Sequence, residues 1–201
     1  MDAIELLKND HDRVNELFTQ FERGGNSQEF QDLFNQLFTA LNAHSVIEEQ
    51  IFYPAVRNHP DTSSLVQESY QEHAQVKDML NQIAGLDNTS NEWGQNMTQL
   101  MHAVQHHVQE EEGELFPKVR QYMGSEQLQT LGQQMADLKQ QTMSQMNQGA
   151  SMAGSGMTGM GATGTTSQTT LDQNNLQTGG TLGNLDATRT DQTDTNQYPS
   201  L

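Results

Sequence analysis

Six side chains that water would ordinarily claim, His11, His44, Glu48, His73, His107 and Glu111, fall inside otherwise apolar stripes of the chain. Burying an isolated carboxylate or imidazolium costs on the order of several kcal/mol, so such groups are paired with one another or coordinate a metal. Four imidazoles and two carboxylates at one height would make a nitrogen- and oxygen-donor site, a donor set that suits iron and also zinc or manganese. The sequence has no cysteine, which excludes thiolate ligands and disulfides.

The stripes themselves predict what must position these groups. Ile4, Leu7, His11, Val14, Phe18 and Phe21 are separated by alternating steps of three and four residues. The same alternation runs through Phe30, Phe34, Leu37, Leu41, His44, Glu48, Ile51 and Ala55. It returns in Val66, Ser69, His73, Val76, Leu80 and Ile83, and again in Trp93, Met97, Leu100, Val104, His107, Glu111 and Leu115. This is the face a bundle helix turns to its core. The stripes also repeat. Asp10-His11 returns 62 residues later as Glu72-His73, and the His44-x-x-x-Glu48-Glu49 stretch leading to Phe52-Tyr53-Pro54 returns at an offset of 63 as His107-x-x-x-Glu111-Glu112 leading to Leu115-Phe116-Pro117. Two repeated helical hairpins, each giving one lone His and one His-x-x-x-Glu pair, predict an all-α, up-down-up-down four-helix bundle with a quasi-symmetric site between the hairpins.

Local signals agree. Gly24-Gly25 closes the first helix and Asn26-x-x-Glu29 opens the second as a capping box, with Ser64-x-x-Gln67 and Thr89-x-x-Glu92 as starts for the third and fourth. Pro54 and Pro117 are expected to kink or end their helices beyond the site. Glu49, Glu72 and Glu112 adjoin the candidate ligands, but helical phase turns them away from a shared metal. Val14, Ile47, Val76, Val104 and Val108 are packing residues that would also form the dry wall of a small-ligand pocket. His59, His102 and His106 lie off the stripes and read as solvated.

The bundle is expected over residues 1–123. Leu128, Leu131, Met135 and Leu138 predict a short accessory helix within 124–147, lying against the bundle or serving a protein partner or self-association. From 148 to 201 the chain turns to Gly, Thr, Gln, Asn and Ser, a composition that predicts a disordered tail. With 9 basic against 26 acidic residues, the net charge of −17 disfavours nucleic acid and anionic membrane and suits cations. No apolar run is long enough to span a bilayer, and the acidic start Met1-Asp2-Ala3-Ile4-Glu5 lacks a signal-peptide pattern, so a cytoplasmic location is expected.

Taken together, Asp10-His11, His44-x-x-x-Glu48-Glu49 to Pro54, Glu72-His73, and His107-x-x-x-Glu111-Glu112 to Pro117 resemble the hemerythrin-like HHE cation-binding domain across roughly residues 3–122. The resemblance implies a non-haem di-iron centre in which His11, His44, His73 and His107 are terminal ligands and Glu48 and Glu111 bridge the irons. It implies O2 or another small diatomic or peroxide as the ligand, in oxygen or redox sensing or stress protection. The alternative is a di-iron oxidase or peroxidase, or an iron-handling protein; the binding role, without a catalytic residue, is the expectation. One departure concerns Lys77, which stands where the O2-carrying hemerythrins have a further His. An ammonium there cannot ligate, and it is expected to reach solvent or a neighbouring carboxylate.

Overall fold

A computed structural model describes residues 1–154 of the 201-residue chain, with side-chain surroundings for 1–146; the segment 155–201, where the tail is expected, lies outside the described residues. The described residues are helical, without strands: α1 (Ala3–Glu22), α2 (Ser27–Ile47), α3 (Tyr53–Val56), α4 (Ser63–Ala84), α5 (Asn91–Glu110), α6 (Phe116–Tyr122) and α7 (Ser125–Gly154). α2 runs into α3, and α5 into α6, through one π-helical turn each, so four long rods form the bundle.

Capping sets the starts. Asp2 and Glu5 bond each other's backbone N–H at the head of α1, and Asn26 and Glu29 do the same at α2 as the sequence predicts. Gly24, at φ 80°, makes the left-handed turn between them. Two starts differ from expectation. α4 begins at Ser63, one residue ahead of the predicted cap Ser64, and its cap Thr62 uses its hydroxyl on Val56 and His59 carbonyls instead. α5 is capped by Ser90, whose Oγ accepts from the Trp93 N–H, while Thr89 bonds Asp87.

Two apolar clusters sandwich the polar layer. On one side Val14, Phe18, Phe34, Leu37, Leu80, Ile83, Trp93 and Met97 interlock; on the other Ile4, Leu7, Ile47, Phe52, Tyr53, Phe116 and Val119 do. Every stripe residue of α4 and α5 is buried as predicted. The second stripe slips, however. Ala55 is exposed and Ile51 half-buried, while Phe52, Tyr53 and Val56 fill the core. The π turn explains the slip, because one extra residue per turn rotates everything after Glu48 by about 100°. Its cause is Pro54, which has no N–H for the carbonyl of Gln50 and whose ring would crowd it; the wider turn relieves both. Pro117 and Gly113 stand in the same relation in the other hairpin. Each proline therefore widens its helix without ending it.

The accessory helix packs on α1 and α2. It is not short: α7 extends through thirty residues to Gly154, past the 147 at which the apolar pattern stops, because nothing in Gln148–Gly154 breaks a helix outright.

Candidate metal centre

Each ligand candidate has a definite address. His11 lies midway along α1 between Leu7 and Val14, His44 near the end of α2, His73 in the middle of α4 and His107 near the end of α5. Glu48 and Glu111 are the first residues of the two π turns, and the carbonyl of each accepts the i→i+5 bond that defines its turn, from Tyr53 N–H and Phe116 N–H. All six converge and all are buried, Glu48 at 0% and Glu111 at 1% exposure.

Their donor atoms form two overlapping groups, each drawn together within 4.8 Å: His44, Glu48, His73 and His107, and His11, His44, Glu48 and Glu111. His44 Nε2 is 3.0 Å from Glu48 Oε2, His73 Nε2 is 3.2 Å from the same oxygen, and the His73 and His107 Nε2 atoms are 3.1 Å apart. Metal–nitrogen bonds of about 2.1 Å place neighbouring donors about 3 Å apart, so this spacing fits a cation's coordination edge. The chemistry of the donors fits as well. His11 Nε2, His44 Nε2, Glu48 Oε1 and Glu111 Oε2 are buried without any hydrogen-bond partner, an arrangement a cation satisfies.

Behind the imidazoles stands a second ring of carboxylates. Glu112 Oε1 accepts from His11 Nδ1 at 2.9 Å, Glu49 Oε1 from His73 Nδ1 at 3.1 Å, and Glu72 Oε2 from His107 Nδ1 at 2.8 Å. Asp10 faces His44 Nδ1 at 3.6 Å, an electrostatic contact too long for a hydrogen bond. The three hydrogen-bonded carboxylates fix the proton on Nδ1 of their histidines and turn Nε2 inward. Sequence phase correctly turned Glu49, Glu72 and Glu112 from the metal, but missed that the same turn aims them at a neighbouring histidine. The available signal was the acidic residue adjoining all four ligand stretches, Asp10, Glu49, Glu72 and Glu112.

Charge follows this geometry. Burial pushes the His44 imidazole down, but Glu48, Asp10 and Glu111 more than reverse it, raising its pKa to about 10. Burial likewise opposes protonation of His73, and Glu48 and Glu49 overcome it, raising its pKa to about 8. Burial pushes Glu48 up, yet His44 and His73 hold it well below the ordinary carboxylate range. Burial also pushes Asp10, Glu72 and Glu112 up, and the histidines and lysines beside them bring each below its usual value; Glu49 is lowered chiefly by His73. Lys77 Nζ reaches Glu49 at 2.7 Å, so it takes the neighbouring-carboxylate option expected of it.

Tyr53 is the functional side chain that sequence spacing did not single out. Its hydroxyl donates to Glu111 Oε1 at 2.9 Å and lies 3.3 Å from both Glu48 Oε2 and His73 Nε2. Burial, with Glu111 and Glu48 adding negative charge, holds the phenol protonated well above its ordinary range. Opposite it, Val14, Leu41, Val76, Val104 and Val108 wall a cavity of about 20 Å3 against the histidines; Ile47 does not line it. Of the off-stripe histidines, His106 is exposed and meets Glu72 at 3.1 Å, while His59 is half-buried, stacked on Tyr122 at 3.9 Å instead of free in solvent.

The comparisons agree with this architecture. The family model described as hemerythrin HHE cation binding domain matches residues 2–119, and the chain belongs to that family. A structure of an HHE cation-binding domain-containing protein from Mycobacterium kansasii is similar at a TM-score of 0.68 and 25% identity, over 77% of this chain and 94% of that one. A Nostoc protein named DNA nickase is 34% identical over 127 residues, 63% of this chain. The chain spans 36% of that relative's length. Membership in a cation-binding family, together with the His and Glu groups, implies metal binding. No helix among the described residues is long and apolar enough to cross a membrane.

Proposed function

We propose that this chain is a non-haem di-iron protein that takes O2 or a related small ligand, in the service of oxygen or redox sensing or stress protection. The observation that carries the reading is the overlap of the two donor groups. They share His44 and Glu48, so the six side chains offer donors enough to hold two neighbouring cations. His73 and His107 would complete one position, and His11 and Glu111 the other. Bound iron would supply reversible one-electron chemistry and an affinity for O2, which a zinc site lacks.

The chain's own residues do the rest. Glu49, Glu72 and Glu112 keep three imidazoles in a ligating tautomer by hydrogen bonds at Nδ1, and Asp10 faces the fourth. The valine wall makes one side of the cavity apolar and limits it to a very small molecule. Tyr53 holds a proton at Oη against Glu111 and can share it with a charged ligand group nearby. Lys77 is tied to Glu49, so no fifth imidazole enters from α4. The nickase activity in the Nostoc relative's name is not carried over, because a net charge of −17 repels a phosphate backbone and the match leaves nearly two thirds of that relative uncovered.

Metal analysis with an optical spectrum of the reduced protein, taken anaerobically and after air, tests the proposal. Two irons per chain and a new near-ultraviolet and visible absorption on exposure to O2 are expected. Zinc or manganese as the bound metal, or diferrous protein whose spectrum ignores O2, would overturn it.

A further inference from the structure

α7 lies wholly beyond the segment the family model matches, yet it reaches the metal centre. Its docked face comprises Leu128, Gly132, Met135 and Lys139, at helical steps of four, three and four; the first three are buried. Gly132 seats the helix. A Cβ there would stand 2.7 Å from the Asp2 carbonyl carbon and 2.8 Å from Ala3 N, so α7 lies directly on the backbone that starts α1. With Leu128 and Met135 filling the core beside it, the register of α7 against α1 is set, and two turns beyond Gly132 the same face presents Lys139 to Asp10. The two form an ion pair in which both side chains are largely shielded, Lys139 at 26% and Asp10 at 12% exposure.

We propose that Lys139 is a positioning residue for the metal centre, fixing Asp10 beside Nδ1 of His44 and so keeping His44 Nε2 turned into the donor cluster. The proposal rests on the six-residue cluster being a metal site. Need for a tether is visible in the geometry. Asp10 is the one orienting carboxylate that stands beyond hydrogen-bond length from its histidine, at 3.6 Å, and its Oδ2 has no hydrogen-bond partner. Asp10 is also the boundary between two spaces. It lines the inner cavity beside the histidines and an outer groove of about 410 Å3 between α1, α2 and α7 that Lys139 and Met143 also line. Without the ammonium, a short carboxylate at such a boundary is free to turn outward to water. In the other hairpin the equivalent residue, Glu72, bonds both His107 and His106 from its own hairpin and needs no fifth helix.

Zinc, a redox-silent probe, can be titrated into the full-length metal-free protein against a chromophoric chelator. Lys139→Met should weaken zinc binding about tenfold, the lower end of what outer partners of metal-binding histidines contribute, since Lys139 acts at one remove. Lys139→Arg should restore it. Asp10→Asn should weaken it at least as much, and Lys139→Met added to Asp10→Asn should change nothing further. A slowly exchanging His44 Nδ1 proton in nitrogen-15 spectra of the zinc-loaded protein should persist in wild type and Lys139→Arg and exchange faster in Lys139→Met. Lys118→Met, which breaks a surface pair with Glu114, should leave all of these unchanged. Wild-type affinity in Lys139→Met would overturn the proposal, as would a loss additive with Asp10→Asn, which marks a general effect on packing. Absence of zinc binding in the wild type would overturn the metal reading itself, and this proposal with it.

Discussion

Loading the centre with metal should expel protons, and the structure sets how many. Six carboxylates, Asp10, Glu48, Glu49, Glu72, Glu111 and Glu112, surround four imidazoles and are answered by three ammonium groups, Lys8, Lys77 and Lys139. The surplus negative charge draws protons onto His44 and His73 when no metal is bound, raising their pKa values to about 10 and about 8. At pH 7 both are therefore charged, and both must surrender a proton before Nε2 can ligate. His44 and His73 should together release about two protons on loading, and the apparent loading constant should rise about tenfold per pH unit for each while it is charged. Calorimetry with zinc in buffers of different ionisation enthalpy counts them directly. A binding enthalpy independent of buffer would mean that the imidazoles are neutral in the metal-free protein, and would refute the charge argument. The same shifts fix the sign of stability against pH without metal. A raised histidine pKa stabilises the fold fully below the ordinary 6.5, and this stabilisation fades as pH climbs through about 8 for His73 and about 10 for His44. The lowered Glu48 pKa stabilises above the ordinary 4.5 and fades as pH falls. Metal-free protein should accordingly melt highest between those two limits, a maximum that thermal scans across pH would locate.

Chelation at neutral pH should lower the melting temperature on the order of 10 °C, since a cation a thousandfold above its Kd contributes about 4 kcal/mol to the folded state; an unchanged melting curve for verified metal-free protein would count against a buried site. Glycine-to-alanine exchanges should differ in sign. Gly132→Ala drives a methyl into the Met1–Ala3 backbone and should cost about 1–3 kcal/mol, whereas Gly94→Ala meets nothing within 4 Å and should gain up to about 1 kcal/mol, both read by denaturant unfolding. Tyr53→Phe strips Glu111 Oε1 of its buried donor and should destabilise metal-free protein by about 1–3 kcal/mol in the same assay; equal stability would show that Glu111 finds another partner.

The ligand layer was legible because a bundle helix exposes its core face in the spacing of its residues, and ionisable residues in an apolar stripe stand out. His11, His44, His73 and His107 all lie where that spacing puts them. The slip from Ile51 and Ala55 to Phe52 and Val56 was not legible from periodicity, because a π turn changes the period itself. Pro54 announced a disturbance without saying whether the helix would end, bend or widen. The orienting carboxylates were hidden for a different reason: their partners lie on neighbouring helices, and one helix's phase says only where a side chain does not point. Glu49 and Glu112 cross from one hairpin to the other, and Lys139 comes from outside the repeat altogether.

Those crossings explain why the two hairpins act as one centre. Asp10 and Glu72 orient His44 and His107 within their own hairpins, but Glu49 orients His73 of the second and Glu112 orients His11 of the first. Pulling the hairpins apart would therefore break both the shared donor groups and half of the supports that aim the donors. The π turns make this exchange possible, because each begins at a ligand Glu and the next residue is the one that crosses. Below the ligands the symmetry fails at the residue that follows each turn. Tyr53 and Phe116 occupy equivalent places after the two turns, yet Tyr53 donates to Glu111 while Phe116 stacks on His11 with ring centroids 5.9 Å apart. The two donor groups built from the repeat are thus chemically distinct. Tyr53 sets a protonated phenol between Glu111 and His73, whereas Phe116 gives His11 an aromatic face that offers no proton.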